Sequence, residues 1–215
     1  MSESRDGDDL LKMYTTKMGK PLGAFFHHLW QDLAHLHLSW NEYVPIFGKS
    51  KARIDDLNKA APHFFGMVQD MWWNDLILML WKLTDKDSTL SILRLPDVTP
   101  LSLHAELKPK IRNAVAACKF AHKVRHNMIA HRNADIAMKV RPMPPSSRAD
   151  VKKAIAVLDD VFNFVHGSYT REEPMMWEHL DALGGSESVL WIVRRGLKAR
   201  DDDFENHKPP MRFPD

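Results

Sequence analysis

The sequence predicts an all-α protein, a helical bundle of four to five main helices with a C-terminal helical extension. Three observations predict it. Glycine is scarce, at 9 of 215 residues. Apolar residues recur at helical spacing almost throughout. Alternating apolar–polar runs joined by hairpin turns are absent.

The elements follow in order. Residues 1–20 form a loose or marginally helical lead-in. The first strong helix starts after Pro21, a residue suited to a first helical turn. It runs through Phe25, Phe26, Leu29, Leu33 and Leu36 to about Tyr43, where Pro45 and Gly48 break the chain. A second helical stretch covers about Ala52 to Asp85, with Pro62 starting a new helix or kinking this one. Its latter half, from Phe64 to Leu83, is apolar on most sides and reads as a buried central helix. A connector from Lys86 to Pro100 carries one short apolar run, Leu90 to Leu95. The third long helix spans about Leu101 to His131, with a bend expected at Pro109. A loop with Pro142, Pro144 and Pro145 leads to a fourth helix, about Ala149 to Tyr169. Shorter helices near Met175–Leu183 and Glu187–Arg200 flank Gly184-Gly185. The resulting division is a lead-in (1–20), a helical domain (21–170), a helical extension (171–200) and a mobile tail (201–215).

Composition narrows the class. Hydrophobic residues make up 44%, enough for a sizeable core. The single cysteine, Cys118, excludes an internal disulfide and suits an intracellular, cytoplasmic protein. The acidic, polar start MSESRDGDD argues against a signal peptide. The longest apolar stretch, Leu76 to Trp81, is too short to span a bilayer. The net charge of +2 is unevenly placed. Lys108 to Arg141 holds nine cations and one acid, Asp135, a local charge of +8 against −6 for the rest. Such a field attracts a polyanion such as RNA; the alternative is a solvated helix face that is merely basic.

The third helix carries the candidate chemistry. On an ideal helix of about 100° per residue, Ile111, Val115, Cys118, His122 and Ile129 form one apolar stripe. Phe120, Val124, Met128 and His131 form a second, nearly opposite. Two apolar stripes need two partners, the bundle and a second subunit. Arg112, Lys119 and Lys123, with His126 and Asn127 beside them, make a basic solvated side. Arg125 falls at the edge of the first stripe, where a guanidinium needs a partner. Asp85 is the candidate, and an arginine bridging two helices is the other reading. His131 lies about 120° round the helix from Arg125, so a joint site needs an unwound helix end or a second copy across a two-fold axis.

Arg125-His126-Asn127-Met128-Ile129-Ala130-His131 resembles the signature of HEPN domains: an arginine, a polar residue, a few more residues and a histidine near a helix end. The surrounding KVRHNMIAHRNAD, with WNEYVPIFG (Trp40–Gly48) and LWKLTDK (Leu80–Lys86) upstream, resembles the abortive-infection AbiU-type (AbiU2-like) branch. The resemblance covers roughly residues 25–165. It implies a helical bundle that dimerises. Active members are metal-independent endoribonucleases with paired Arg and His at the dimer cleft, and many are toxins or antiviral effectors. Others have lost catalysis and act as binding modules.

The expected assignments follow. His131 is general acid or base, and Arg125 clamps the transition-state phosphate. His126, Asn127 and Asp85 support them. Lys119, Lys123, Arg112 and Arg132 hold the flanking RNA strand. Products would be a 2′,3′-cyclic phosphate and a 5′-hydroxyl. The alternative function is a non-catalytic module of the same fold that binds RNA or protein. Expected partners are RNA, a second copy and an antitoxin or regulatory protein, with no membrane.

No cofactor is expected. His27-His28, the pair His35 and His37, and the pair His122 and His126 lack a completing Cys or carboxylate cluster at metal-site spacing. No glycine-rich phosphate loop is present. Trp72, Trp73 and Trp81 read as core or dimer contacts rather than a base-stacking platform. Cys118 reads as a small buried hydrophobe.

Overall fold

A computed structural model describes residues 7–130, 138, 145–170 and 184–206. Among these residues every regular element is helical. The order is α1 (Gly7–Met18), α2 (Lys20–Tyr43), a π turn (Val44–Gly48), α3 (Lys51–Ala60), α4 (Pro62–Thr84), a 3-10 turn (Ile92–Arg94) and α5 (Leu95–Val98). A second 3-10 turn (Leu101–Leu103), α6 (His104–Ala117), α7 (Lys119–Val124), a π turn (Arg125–Ala130), α8 (Arg148–Tyr169) and α9 (Ser186–Glu205) follow. The architecture is all-α, with Pro21 and Pro62 at helix starts.

The chain forms two compact units. The first comprises Met1–His37 and Asn74–Trp177. Its core comes from apolar residues repeating every three or four positions. On α2 these are Leu22, Phe26, Leu29, Leu33 and Leu36. On α8 they are Val151, Ala154, Ile155, Leu158, Val161, Phe162 and Val165. Leu76, Ile77, Leu80 and Leu83 of α4 join them, as do Leu107, Ile111 and Ala114 of α6. Each fully buried large side chain contributes about 1.5–3 kcal/mol. The start of α8 is set by a capping box: Ser147 accepts from the Asp150 N–H, and the Asp150 carboxylate accepts from the Ser147 N–H. His37 Nε2 meets Asp159 Oδ1 at 2.7 Å and ties α2 to α8.

The second unit comprises Leu38–Trp73 and Glu178–Asp215. Tyr43 sits among Phe47, Trp72 and Trp73, with ring centroids 5.3, 6.1 and 5.7 Å away. Leu57 and Leu190 are buried in this unit. Arg53 donates to the Pro45 carbonyl at 2.7 Å and to Glu187 at 2.8 Å, and Arg194 meets Asp56 at 2.8 Å. These bonds hold α9 against α3.

Several expectations change. The lead-in, expected to be loose or marginally helical, is a helix from Gly7 that buries Tyr14 and Met18. Gly19, at φ +81°, makes the left-handed turn into α2. The backbone of Tyr14 and Thr15 then passes so close to Gly23 that a Cβ there would collide with it. The helix expected to be buried along its whole length is covered only in its latter half. In α4, Phe64, Met67 and Met71 are 57%, 60% and 69% exposed. They share one stripe, spaced three and four apart, while the half-covered side is Phe65, Val68, Gln69 and Trp72. The third helix is interrupted at Cys118 rather than at Pro109, which lies inside α6. Helix α9 continues to Glu205, beyond the expected start of a tail at 201. The loop 133–144, apart from Met138, and the expected helix at Met175–Leu183 lie outside the described residues.

No described helix is long and apolar enough to cross a membrane.

Candidate functional site

The site is built where the C-terminal end of α4 meets α7 and the π turn that follows. Leu80 and Leu83 are buried and anchor that end of α4. Trp81, half-buried, and Thr84, buried, lie on its last turn, and Asp85 follows half-buried. Opposite, Cys118, Ala121 and Val124 are buried and seat α7. With them the same helical segment brings His122 and Arg125, both half-buried, to the end of α4.

Arg125 opens a π turn, Arg125–Ala130. Such widened turns place backbone i→i+5 and are frequent at functional sites. The 100° wheel therefore fails twice on this segment, at Cys118 and at Arg125. Its first stripe is buried only in part: Ile111 and Cys118 are buried, while Val115, His122 and Ile129 are half-buried. Its second stripe is split, because Val124 joins the core while Phe120 is half-buried and Met128 is 38% exposed.

The guanidinium of Arg125 lies over the Trp81 ring, 4.3 Å from its centroid. This cation–π contact is worth about 0.5–2 kcal/mol, depending on desolvation. The group that the guanidinium meets is thus the Trp81 ring, in place of the expected Asp85 carboxylate. Arg125 does join two helices. A position by the last turn of α4 also suits a cation, because helix carbonyls end there.

Asp85 instead acts on His122. The imidazole Nε2 lies 3.0 Å from the Thr84 hydroxyl. Burial lowers the His122 pKa below 6.5, Asp85 works in the opposite direction, and Arg125 lowers it further. Cys118 lies against Thr84, and burial pushes its thiol up to about 12. It is a protonated, buried small hydrophobe, as its place on the stripe suggested.

The basic face is on the outside. Arg112, Lys119, Lys123 and His126 are exposed. Asn127 is half-buried and donates its Nδ2 to the Lys123 carbonyl at 2.8 Å. His131 and Arg132, the other expected site residues, lie outside the described residues. Among the described residues, no group of three or more His, Cys, Asp or Glu side chains is placed to hold a metal ion. Sequence reasoning took Trp81 as a core or dimer contact and His122 as a member of an apolar stripe and half of a metal pair, and it left Thr84 out of the site. The available signal was that LWKLTDK ends one helix while His122 precedes Arg125 by one turn of the next.

The family model of HEPN domains of AbiU2 type, described as AbiU2, matches residues 19–182. The chain belongs to the AbiU2 family of HEPN domains. The match starts one residue after α1 ends and takes in Arg125, His131 and the whole of α8. No curated protein and no solved structure matches the chain significantly. The chain is therefore an all-α HEPN domain of the abortive-infection type.

Proposed function

We propose that this HEPN domain is a metal-independent endoribonuclease that uses Arg125 and His131 at a dimer cleft. The observation that carries the reading is the placement of Arg125. Its guanidinium rests on Trp81, half-exposed, at the border of an exposed basic face formed by Arg112, Lys119 and Lys123. A phosphate laid along that face would reach a cation already held in position. A second copy of the chain, completing the cleft, belongs to the same reading.

RNA supplies its own nucleophile, the ribose 2′-OH. The protein has to move two protons and stabilise charge on phosphorus. A histidine titrates in the right range for the first task, and an arginine stays charged for the second. An antiphage or toxin effector role, with a neutralising antitoxin or regulatory protein, belongs to the same reading.

One observation favours a second reading, a non-catalytic RNA- or protein-binding module. The Arg125–Trp81 stack joins two helices, so Arg125 also has a packing role that needs no chemistry. Cleavage of total RNA and tRNA in EDTA separates the two. The nuclease reading expects cutting by wild type, loss in Arg125→Ala and His131→Ala, and RNA binding largely kept in His131→Ala. Full activity in His131→Ala would contradict it. Binding without cutting by wild type would favour the module.

A further inference from the structure

Thr84 is placed to select the tautomer of His122. Its hydroxyl has one proton, and it donates that proton to the Leu80 carbonyl at 2.9 Å. A carbonyl oxygen can only accept, so in that bond the hydroxyl is the donor, with the Trp81 carbonyl 3.4 Å away as a second acceptor beside it. With its proton on a carbonyl, the hydroxyl oxygen is left as an acceptor for the imidazole, 3.0 Å away. That arrangement puts the proton of neutral His122 on Nε2 and the lone pair on Nδ1.

The surroundings keep the ring in that neutral form. The charged groups that act on it are Asp85, from the end of α4, and Arg125, from its own segment. Burial outweighs the carboxylate, and the ring stays deprotonated at neutral pH. Cys118, one turn before it, is a protonated thiol and does not compete as a base. The result is a free imidazole nitrogen three residues before the guanidinium proposed to grip phosphate. A held tautomer and a neutral ring are what a general base requires, and a neighbouring cation can meet the charge that develops on phosphate.

We propose that His122 is the general base of the RNA cleavage, taking the ribose 2′-OH proton at Nδ1 while Thr84 holds its Nε2–H. The proposal rests on the nuclease reading above. The bookkeeping of the step is complete. The 2′-OH proton moves to Nδ1 as the 2′-oxygen bonds to phosphorus. The bond from phosphorus to the 5′-oxygen breaks, and that oxygen takes a proton from a separate donor, the part proposed for His131. The ring then returns its proton to solvent.

The test uses His122→Gln. Glutamine keeps an N–H donor for Thr84 but has no group that takes up a proton. A structural role for His122 is therefore largely rescued, while a catalytic role is lost. Cleavage by His122→Gln should fall about 10²- to 10⁴-fold with RNA affinity unchanged. The acid limb of the wild-type kcat/KM profile against pH should vanish in the variant. Wild-type rates and an unchanged acid limb in His122→Gln would overturn the proposal while leaving the nuclease reading intact. If wild type itself cuts no RNA, the nuclease reading fails and this proposal falls with it. A second measurement needs no activity. Long-range 1H–15N spectra of the labelled protein at neutral pH should show the Nε2–H tautomer for His122. An Nδ1–H tautomer would overturn the proposal whatever the cleavage data say.

Discussion

The guanidinium of Arg125 lies 4.3 Å from the centre of the Trp81 ring, on the last turn of the neighbouring helix. The ring does for this cation what a carboxylate was expected to do, without cancelling its charge. An arginine neutralised by Asp85 would attract phosphate less. Removing the platform should therefore weaken catalysis. Trp81→Ala should lower the cleavage rate about 2- to 30-fold, from the loss of a cation–π contact. Trp81→Phe should lose less. Steady-state cleavage of a single-stranded RNA by the three proteins checks this, and identical rates in all three would contradict it.

Gly23 makes room for the α1 backbone at Tyr14 and Thr15. A methyl group there must push a helix backbone, which does not yield cheaply. Gly23→Ala should destabilise the first unit by about 1–3 kcal/mol. Gly66 of α4 offers the contrast, since a Cβ built there meets nothing within 4 Å. Gly66→Ala should stabilise by about 0.5–1 kcal/mol. Thermal unfolding of both variants against wild type reads the opposite signs.

His27 is buried, and its Nδ1 has no hydrogen-bond partner among the described residues. Burial lowers its pKa below 6.5, His28 lowers it further, and Asp8 opposes them. His122 is lowered as well. In the window below 6.5 the unfolded chain binds protons that the folded chain refuses, so stability rises with pH. The contribution of these rings is present above 6.5 and is lost as pH falls through their folded values. Denaturant unfolding across that range should show lower stability at acid pH, with a shallower dependence in His27→Leu. An equal slope in the variant would contradict the assignment.

In the second unit, Arg53 and Arg194 make ion pairs of equal length but unequal value. The Arg53 side chain is 13% exposed and also donates to the Pro45 carbonyl. Glu187, its exposed partner, has its carboxyl held below the usual range chiefly by the Arg53 hydrogen bond. Arg194 is half-exposed. Arg53→Met should cost about 1–2 kcal/mol, because a part-buried carbonyl loses a charged donor. Arg194→Met should cost under about 1 kcal/mol. Chemical unfolding of the two variants distinguishes them.

Much of this molecule was legible from residue spacing. The α2 stripe at Leu29, Leu33 and Leu36, and the helix starts at Pro21 and Pro62, are local signals that packing did not override. Helix α1 was harder to read. Its mean polarity is high, and what holds it is tertiary: Tyr14 buried against Phe26, with its hydroxyl 3.5 Å from His166 across the unit. The exposed side of α4 was missed for the converse reason. Apolar composition reports what a helix would bury, not what the chain has available to cover it. At the site, the Arg125 signature and the basic face were visible as residue types. The Trp81 stack and the Thr84–His122 bond were not, because both join segments about 40 residues apart. The π turn at Arg125 and the break at Cys118 also shifted every angle read from an ideal wheel.

The most direct test of the central claim is the chemistry of the RNA ends produced in EDTA by the wild-type chain. Mass spectrometry of the fragments of a defined oligoribonucleotide should find 2′,3′-cyclic phosphates paired with 5′-hydroxyls, with neither formed by Arg125→Ala or His131→Ala. Intact RNA, or ends formed equally by both variants, would contradict the assignment of this HEPN domain as a nuclease acting through that pair.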